Sequence, residues 1–590
     1  MNTSWLKLLR EQRERNSSYL QCSTLIIPLV IFAWLAWRNR WIVDDGYIFL
    51  RVVDQITSGN GPVFNAGERV EAFSSTLWQA LLVFSDLAIP VRLEWLAVLL
   101  GIVMSVSGLA MAMAGAASLA RMHQPKALLL PFGVLLPLGV FIAWRFATSG
   151  METGLVLGWL GACLYLLAHW ATHTRRLSLP TAMLIGLGWL VRPELALFSG
   201  LFIITVLSLQ WRQDGWRNRL LTLFAAGVVP VSYQIFRMGY YGTLVPNPAL
   251  TKDASEIHWA EGWLYLLDFV NPYWLWLALL ILCFGGYLPL IWGLWQQRAR
   301  RALAVVCVFV IAGLLHATYI VAIGGDWLHG RLLLPAFYAL ALPVAVIPLS
   351  RAHSLALLII PWAMACALWL RPPQLHTPSL MNPINAPSHN AVLIEKRGWG
   401  DQSMRERRLR QAGGFHADAV LGMRFQVIES AASGPYVRLP GLSARVLGLP
   451  SYALGPEWHV IDTFGLAHHI GSRFEVTPSL RIFPRKTGHK KALPTVWLAA
   501  MITPEGSRPD PAEFPGVSNP LIRDTSGDEF QRQVDTVRMV LKCPALNELH
   551  AAVTEPLDWQ RFMTNFTGAW ARTRLTIPPD PDLAWQKFCL

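Results

Sequence analysis

The chain has 590 residues, 53% of them hydrophobic and only 15% charged, with a formal net charge of +13 and a mean hydropathy of +0.38. That balance is too apolar for an ordinary soluble protein and marks a polytopic membrane protein. The Arg and Lys side chains cluster between apolar runs, where they set orientation, so the positive charge does not point to nucleic acid.

Lys7, Arg10, Arg13 and Arg15 precede the first apolar run, which lacks a small-residue cleavage site and is expected to stay as a helix over 23–40. A hydrocarbon core needs about 20 apolar residues per helix, and on that measure the chain holds about eleven runs, some short or interrupted. After the first come 93–120, 127–146, 154–172, 178–192, 194–211, 219–236, 272–297, 302–323, 332–350 and 353–371. Basic residues recur at every second junction: Arg121 with Lys126, Arg175 with Arg176, Arg212 with Arg217 and Arg219, Arg298 with Arg300 and Arg301, and Arg351. Those junctions are expected in the cytoplasm, with the N-terminus, and the alternate ones on the outer face.

The first outward segment, 41–92, carries Trp41-Ile42-Val43-Asp44-Asp45-Gly46-Tyr47 and the turn Gly59-Asn60-Gly61-Pro62. Two adjacent carboxylates at a helix end are costly near a bilayer, which makes them a site hypothesis, against the plainer reading of two solvated loop acids. Thr76 to Pro90 is apolar but short, and is expected to lie in the interface or dip into the membrane. The 27 Trp fit aromatic belts as well as sugar-stacking platforms, and none can be assigned singly.

Beyond Arg371-Pro372-Pro373 the chain turns polar and rich in Pro and Gly, with β-like runs at 425–429 and 458–462 and a helical pattern over 530–541. Residues 1–371 are thus expected to form a transmembrane domain and 372–590 a soluble cap of mixed α and β structure. Cys22, Cys163, Cys283, Cys307 and Cys366 lie in or beside apolar runs and read as small hydrophobes. Cys543 and Cys589 do not, and a disulfide between them is expected if the C-terminal part is outside the cytoplasm.

Polar motifs gather at the outward junctions: Glu68-Arg69-Val70-Glu71, Thr148-Ser149-Gly150-Met151-Glu152, Arg192-Pro193-Glu194, Arg237-Met238-Gly239-Tyr240-Tyr241-Gly242, Lys252-Asp253, and Gly324-Gly325-Asp326-Trp327-Leu328-His329-Gly330-Arg331. Singly, each reads as a solvated charge or a helix cap. Together they suit group transfer from a lipid phosphate, with Arg and Lys holding the departing phosphate and carboxylates binding a cation or taking a proton.

These same stretches, above all 40–76, FATSGMETG at 146–154, LVRPELAL at 190–197, QIFRMGYYGTLVP at 234–246 and GGDWLHGR at 324–331, closely resemble the AftB family. These are actinobacterial terminal arabinofuranosyltransferases with a GT-C type fold. Shorter matches extend to Val460-Ile461-Asp462, Gly465-Leu466, Gly488-His489-Lys490, Leu541-Lys542-Cys543-Pro544 and Cys589. The resemblance implies a decaprenylphosphoryl-β-D-arabinofuranose donor, an arabinan acceptor in the cell envelope and a terminal β(1→2) linkage. It makes Asp44, Asp45 and Glu152 catalytic candidates. Arg192, Arg237, Lys252, His329 and Arg331 become candidates for donor and phosphate contacts. A divalent cation is left open, with Asp44 and Asp45 as its ligands; no other cofactor is implied. Arg145 falls where the family pattern is acidic and is assigned no role. The rivals are a transferase of a different polyprenyl-phosphate sugar and a transporter of lipid-linked sugar. Charges gathered at helix ends on one side disfavour the transporter.

Overall fold

The computed structural model describes residues 23–368, 426–430, 434–438 and 447–590, apart from 175, 212–214, 253–256, 327, 449–450, 453–454, 457–458, 463, 477–490, 492, 504 and 512–526. The basic N-terminal residues, Cys22, Arg175, Arg212, Asp253, Trp327, the segment 372–425 and the motif at 488–490 lie outside the described residues.

In chain order the main helices are α1 (Ser23–Arg38), α2 (Asp44–Thr57), α3 (Thr76–Ala88), α4 (Leu93–His123), α5 (Thr153–His173), α6 (Leu179–Gly186), α7 (Pro193–Gln210) and α8 (Trp216–Tyr240). They continue with α9 (Trp259–Val270), α10 (Leu275–Gln296), α11 (Arg300–Ala322), α12 (Leu334–Ala341) and α13 (Arg351–Leu368). The C-terminal part adds α14 (Thr495–Ile502), α15 (Gly527–Leu541), α16 (Pro544–Thr554), α17 (Trp559–Arg574) and α18 (Pro581–Cys589). Among the described residues seven helices are long and apolar enough to cross a membrane: α4, α5, α7, α8, α10, α11 and α13.

Several expected spans are broken, for local reasons. The run 127–146 is not one helix: β1 (Leu129–Leu130) is followed by short turns of helix separated at Val140, whose φ of −95° and ψ of 103° are extended. The run 332–350 likewise ends in β2 (Ile347–Pro348), which pairs antiparallel with β1, Leu129 opposite Pro348. Pro131, Pro137, Pro335, Pro343 and Pro348 lack the amide that a continuous helix needs. In α10, Gly285 and Gly286 sit in a π-helical turn at Cys283–Tyr287.

The chain divides into two compact units. The first comprises Met1–Arg40, Ala97–Pro230 and His258–Ile384. The second comprises Trp41–Leu96, Val231–Ile257 and Asn385–Leu590, so the segments after α1 and around the end of α8 group with the C-terminal part rather than with the helices that flank them. In the first unit α4 and α5 cross through glycines. A Cβ added to Gly161 would stand 2.0 Å from the carbonyl oxygen of Gly108, and one on Gly154 would stand 2.4 Å from that of Gly101. Helices without apolar solvent pressure between them pack through such small residues, because the backbones must touch to gain dispersion.

The second unit has a core of its own around Trp497, Phe474, Phe530, Val534, Val537, Leu546 and Ile577. Its sheet runs β3 (Gln426–Ser430), β4 (Gly434–Arg438), β5 (His459–Ile461), antiparallel then parallel, and α15 covers the helical pattern expected at 530–541. Cys543 and Cys589 form a disulfide, with Cα atoms 5.5 Å apart, closing the last helices on one another. The 13-residue α3 leaves Phe84 and Leu87 exposed, as a helix too short to span would.

Candidate active site

In the second unit Asp44 and Asp45 open α2, where two first-turn acids meet the positive end of the helix. Neighbours on a helix diverge by about 100°, and the two carboxylates have different surroundings. Asp44 is buried, and its Oδ2 accepts the amides of Leu447 (2.8 Å) and Gly448 (2.9 Å). Asp45 is half-buried. The next turns are fixed by Arg51, fully buried, which donates to the carbonyls of Phe64 (2.8 Å), Ser451 (2.5 Å) and Gly455 (2.9 Å) and lies over the Phe64 ring. Asn65 adds two bonds to the backbone of Val460. Asp44 therefore holds the chain around 447–448 against the start of α2.

A divalent cation takes about six or more oxygen ligands. Asp44 gives one oxygen to two amides, and among the described residues no group of three or more His, Cys, Asp or Glu side chains could hold a metal. One or two carboxylates completed by water and a substrate phosphate can hold Mg²⁺, so a cation at Asp44 and Asp45 stays a proposal.

Arg237, expected to contact phosphate, is tied to Glu71. Its Nε lies 2.6 Å from Oε2 and its Nη2 3.0 Å from Oε1, while Nη1 donates to Gln234 and the Tyr233 hydroxyl donates to the same carboxylate. Both partners are buried. A planar fork that meets a carboxylate at two points fixes the chain there, and contact of Arg237 with phosphate stays a proposal. Beside it lies a cavity of about 10 Å³, bordered by Arg69, Glu71, Tyr241, Asn247, Arg473 and Arg572, which has room for one water. Lys252 ends the short helix Asn247–Thr251, which Asn247 and Thr251 bond to the carbonyl of Gly465.

Four further candidates belong to the first unit. Glu152 precedes α5 directly, after a turn in which Gly150 takes a φ of 78°. Arg192, in extended conformation before Pro193, is shared between Glu152 and Glu194. Arg331 pairs with Asp326 at 2.5 Å, and its Nη1 points at the Met151 sulfur, next to Glu152. The loop around it turns on Gly324, Gly325 and Gly330, all at positive φ. His329 is buried with Nδ1 2.8 Å from Asp268, while its Nε2 has no hydrogen-bond partner among the described residues. A carboxylate on one ring nitrogen fixes the tautomer and leaves the other nitrogen aimed at whatever comes next. Asp268, an acid inside the apolar α9, is a residue the sequence reading passed over; its expense in such a helix was the available signal.

Seven helices of bilayer length and apolar composition among the described residues make this a multi-pass membrane protein, and its C-terminal part is of mixed α and β structure. Residues 437–586 match the AftB family C-terminal domain. The chain is 32% identical to the terminal β-(1→2)-arabinofuranosyltransferase of Mycobacterium tuberculosis (strain ATCC 25618 / H37Rv), over 94% of both chains. It is 31% identical to the protein of the same name from Corynebacterium glutamicum (strain ATCC 13032), over 97% of this chain and 88% of the relative. ArnT from Cupriavidus metallidurans, solved bound to undecaprenyl phosphate, superposes with a TM-score of 0.39 at 16% identity, over 68% of this chain and 74% of that one. The chain belongs to the terminal β-(1→2)-arabinofuranosyltransferase family, a family of membrane glycosyltransferases.

Proposed function

We propose that this protein moves D-arabinofuranose from decaprenylphosphoryl-arabinose to the non-reducing ends of cell-envelope arabinan, forming terminal β(1→2) linkages on the outer face of the plasma membrane. The identity to an enzyme named for that linkage, sustained over 94% of both chains, carries the reading. In this reading the N-terminus is cytoplasmic and residues 372–590 act as an outer cap.

A β-linked donor that gives a β-linked product retains configuration. In a front-face reaction the bond from the anomeric carbon to the phosphate oxygen breaks, the acceptor oxygen bonds to that carbon, and the departing phosphate takes the acceptor proton. Asp45 orients the acceptor hydroxyl, and Asp44 holds α2 in place for it. Arg192, Arg331 and the Nε2 of His329, all in the first unit, receive the phosphate, and Glu152 positions Arg192. Guanidinium groups already held by carboxylates can exchange a partner for a phosphate without being dragged out of water afresh.

The test is to incubate the reconstituted protein with synthetic decaprenylphosphoryl-arabinose and a short arabinan, followed by linkage analysis. Transfer into a terminal β(1→2) linkage is expected. Donor movement without transfer, or transfer only from another polyprenyl-phosphate sugar, would overturn the proposal.

A further inference from the structure

Helix α17 presents an unusual face. It is capped by Asp558, whose Oδ1 accepts the Arg561 amide at 2.7 Å. On one side it buries Asn565, Ala569 and Arg572. On the other, Trp559 is 76% exposed, Trp570 56% and Met563 38%. At 100° per residue these three positions fall within about 40° of one another, so they form one stripe. The Arg574 guanidinium sits 4.0 Å over the Trp570 ring, and Trp559 stacks on Phe562 at 5.8 Å.

What holds α17 fixes its depth. Phe562 lies against Gly239 in the last turn of α8, where an added Cβ would stand 2.1 Å from the ring. Asn565 donates to the Gly239 carbonyl at 3.1 Å, and Arg572 donates to that of Gly242 at 3.1 Å. In the last three turns of α8, Val231 and Ile235 form an exposed apolar stripe. Gly239 follows Ile235 by four residues, on the same broad face and about 6 Å further along the axis. The layer between the hydrocarbon core and water is about 5 to 8 Å thick on each side. The helix is thus seated on the lipid-facing side of a spanning helix, one turn beyond its last exposed aliphatic residue.

From this geometry we infer that α17 lies in the headgroup layer of the bilayer, with Trp559, Met563 and Trp570 directed into lipid and Arg574 toward lipid phosphate. Amphipathic Trp rings concentrate at that depth, and an in-plane helix with one aromatic face and basic flanks is the form that binds there. Exposed Trp side chains also serve as platforms for sugars. Continuity with the apolar stripe of α8, and a methionine between the two rings, favour lipid.

The test uses the full chain in nanodiscs of phosphatidylethanolamine and phosphatidylglycerol containing a photoactivatable phospholipid. After irradiation, crosslinks should map to 559–574, and hydroxyl-radical oxidation of Trp559 and Trp570 should be as low as that of the exposed Trp276 and Trp292 of the spanning α10. The double variant Trp559→Glu, Trp570→Glu should lose the crosslinks while keeping the Cys543–Cys589 disulfide and the protease pattern of the parent. Rapid oxidation of both Trp in nanodiscs, with crosslinks confined to spanning helices, overturns the inference. So does protection that arises only when soluble arabinan is added, which would make the stripe a carbohydrate platform.

Discussion

Two carboxylate–guanidinium systems in this molecule use the same groups to opposite ends. In the second unit Glu71 and Arg237 close on each other through two bonds, and Tyr233 and Gln234 occupy the remaining positions. In the first unit Arg192 is divided between Glu152 and Glu194, and the imidazole of His329 in the same unit keeps one buried nitrogen without a partner among the described residues. Three of the five Arg237 N–H groups are spent inside the protein, and the pair fixes the chain there. The shared guanidinium and the open imidazole can re-pair when an anion arrives. Residue type and motif do not separate these roles; the count of satisfied donors does.

The largest effects should follow from the open side of that comparison. Removing a preorganised donor or a positioning group costs about 10²- to 10³-fold in rate, so His329→Gln, and in the second unit Asp45→Asn, should each reduce transfer by that order with little change in thermal stability. Asp44→Asn should be milder, because an amide oxygen can still accept from Leu447 and Gly448, whereas Asp44→Ala should loosen the protein as well. Turnover measured beside melting curves separates the two outcomes. Equal losses of stability in Asp45→Asn and Asp44→Ala would erase the distinction between them.

The closed pair should break differently. Leaving one member of a buried ion pair alone costs about 3 to 5 kcal/mol, so Arg237→Ala should lower the melting temperature sharply. The double variant Arg237→Ala, Glu71→Ala should recover part of the loss. A fall in donor affinity at unchanged stability would return Arg237 to phosphate binding. A comparable loss is expected at the disulfide: a 46-residue separation is worth about 4 kcal/mol in the loop-entropy model, so Cys543→Ser with Cys589→Ser should destabilise the second unit up to that amount.

Much of this was legible in the sequence, and what was not has definite causes. Apolar runs, the helix at 530–541 and the Cys543–Cys589 pairing could all be read from local pattern. The breaks at 127–146 and 332–350 could not be placed, because prolines mark a likelihood of interruption while the β1–β2 pairing that fills it joins residues more than 200 positions apart. The Asp pair could be proposed as a site from the sequence, but the different surroundings of its two carboxylates depend on amides at 447 and 448. The partner of Arg237 was hidden for the same reason, since Glu71 lies 166 residues away. Asp268 was missed because an acid in an apolar helix gives no clue to its histidine, 61 residues away.

The smallest effect concerns pH and sharpens the view of the second unit as the part whose polar groups are locked by burial. Burial raises the carboxyl of Glu68 to about 7 and that of Asp462 to about 6. Burial also lowers His459 to about 4 and His468 to about 3, and lowers His469 and His550. The two sets act oppositely on stability. A raised carboxyl binds its proton more readily when folded, so its contribution falls as pH rises from about 4.5 to 7. A lowered imidazole binds its proton more readily when unfolded, so stability falls as pH drops below about 6.5. Four imidazoles against two carboxyls make the second effect the larger, and resistance of the second unit to proteolysis should decline between pH 6.5 and 5. Glu68→Gln removes one of the opposing groups, so that decline should steepen. His459 stands 3.6 Å from Glu68 and feels the change most directly. A profile in Glu68→Gln no steeper than the parent's would mean that burial does not raise the Glu68 carboxyl in the folded protein and that it opposes nothing in this range.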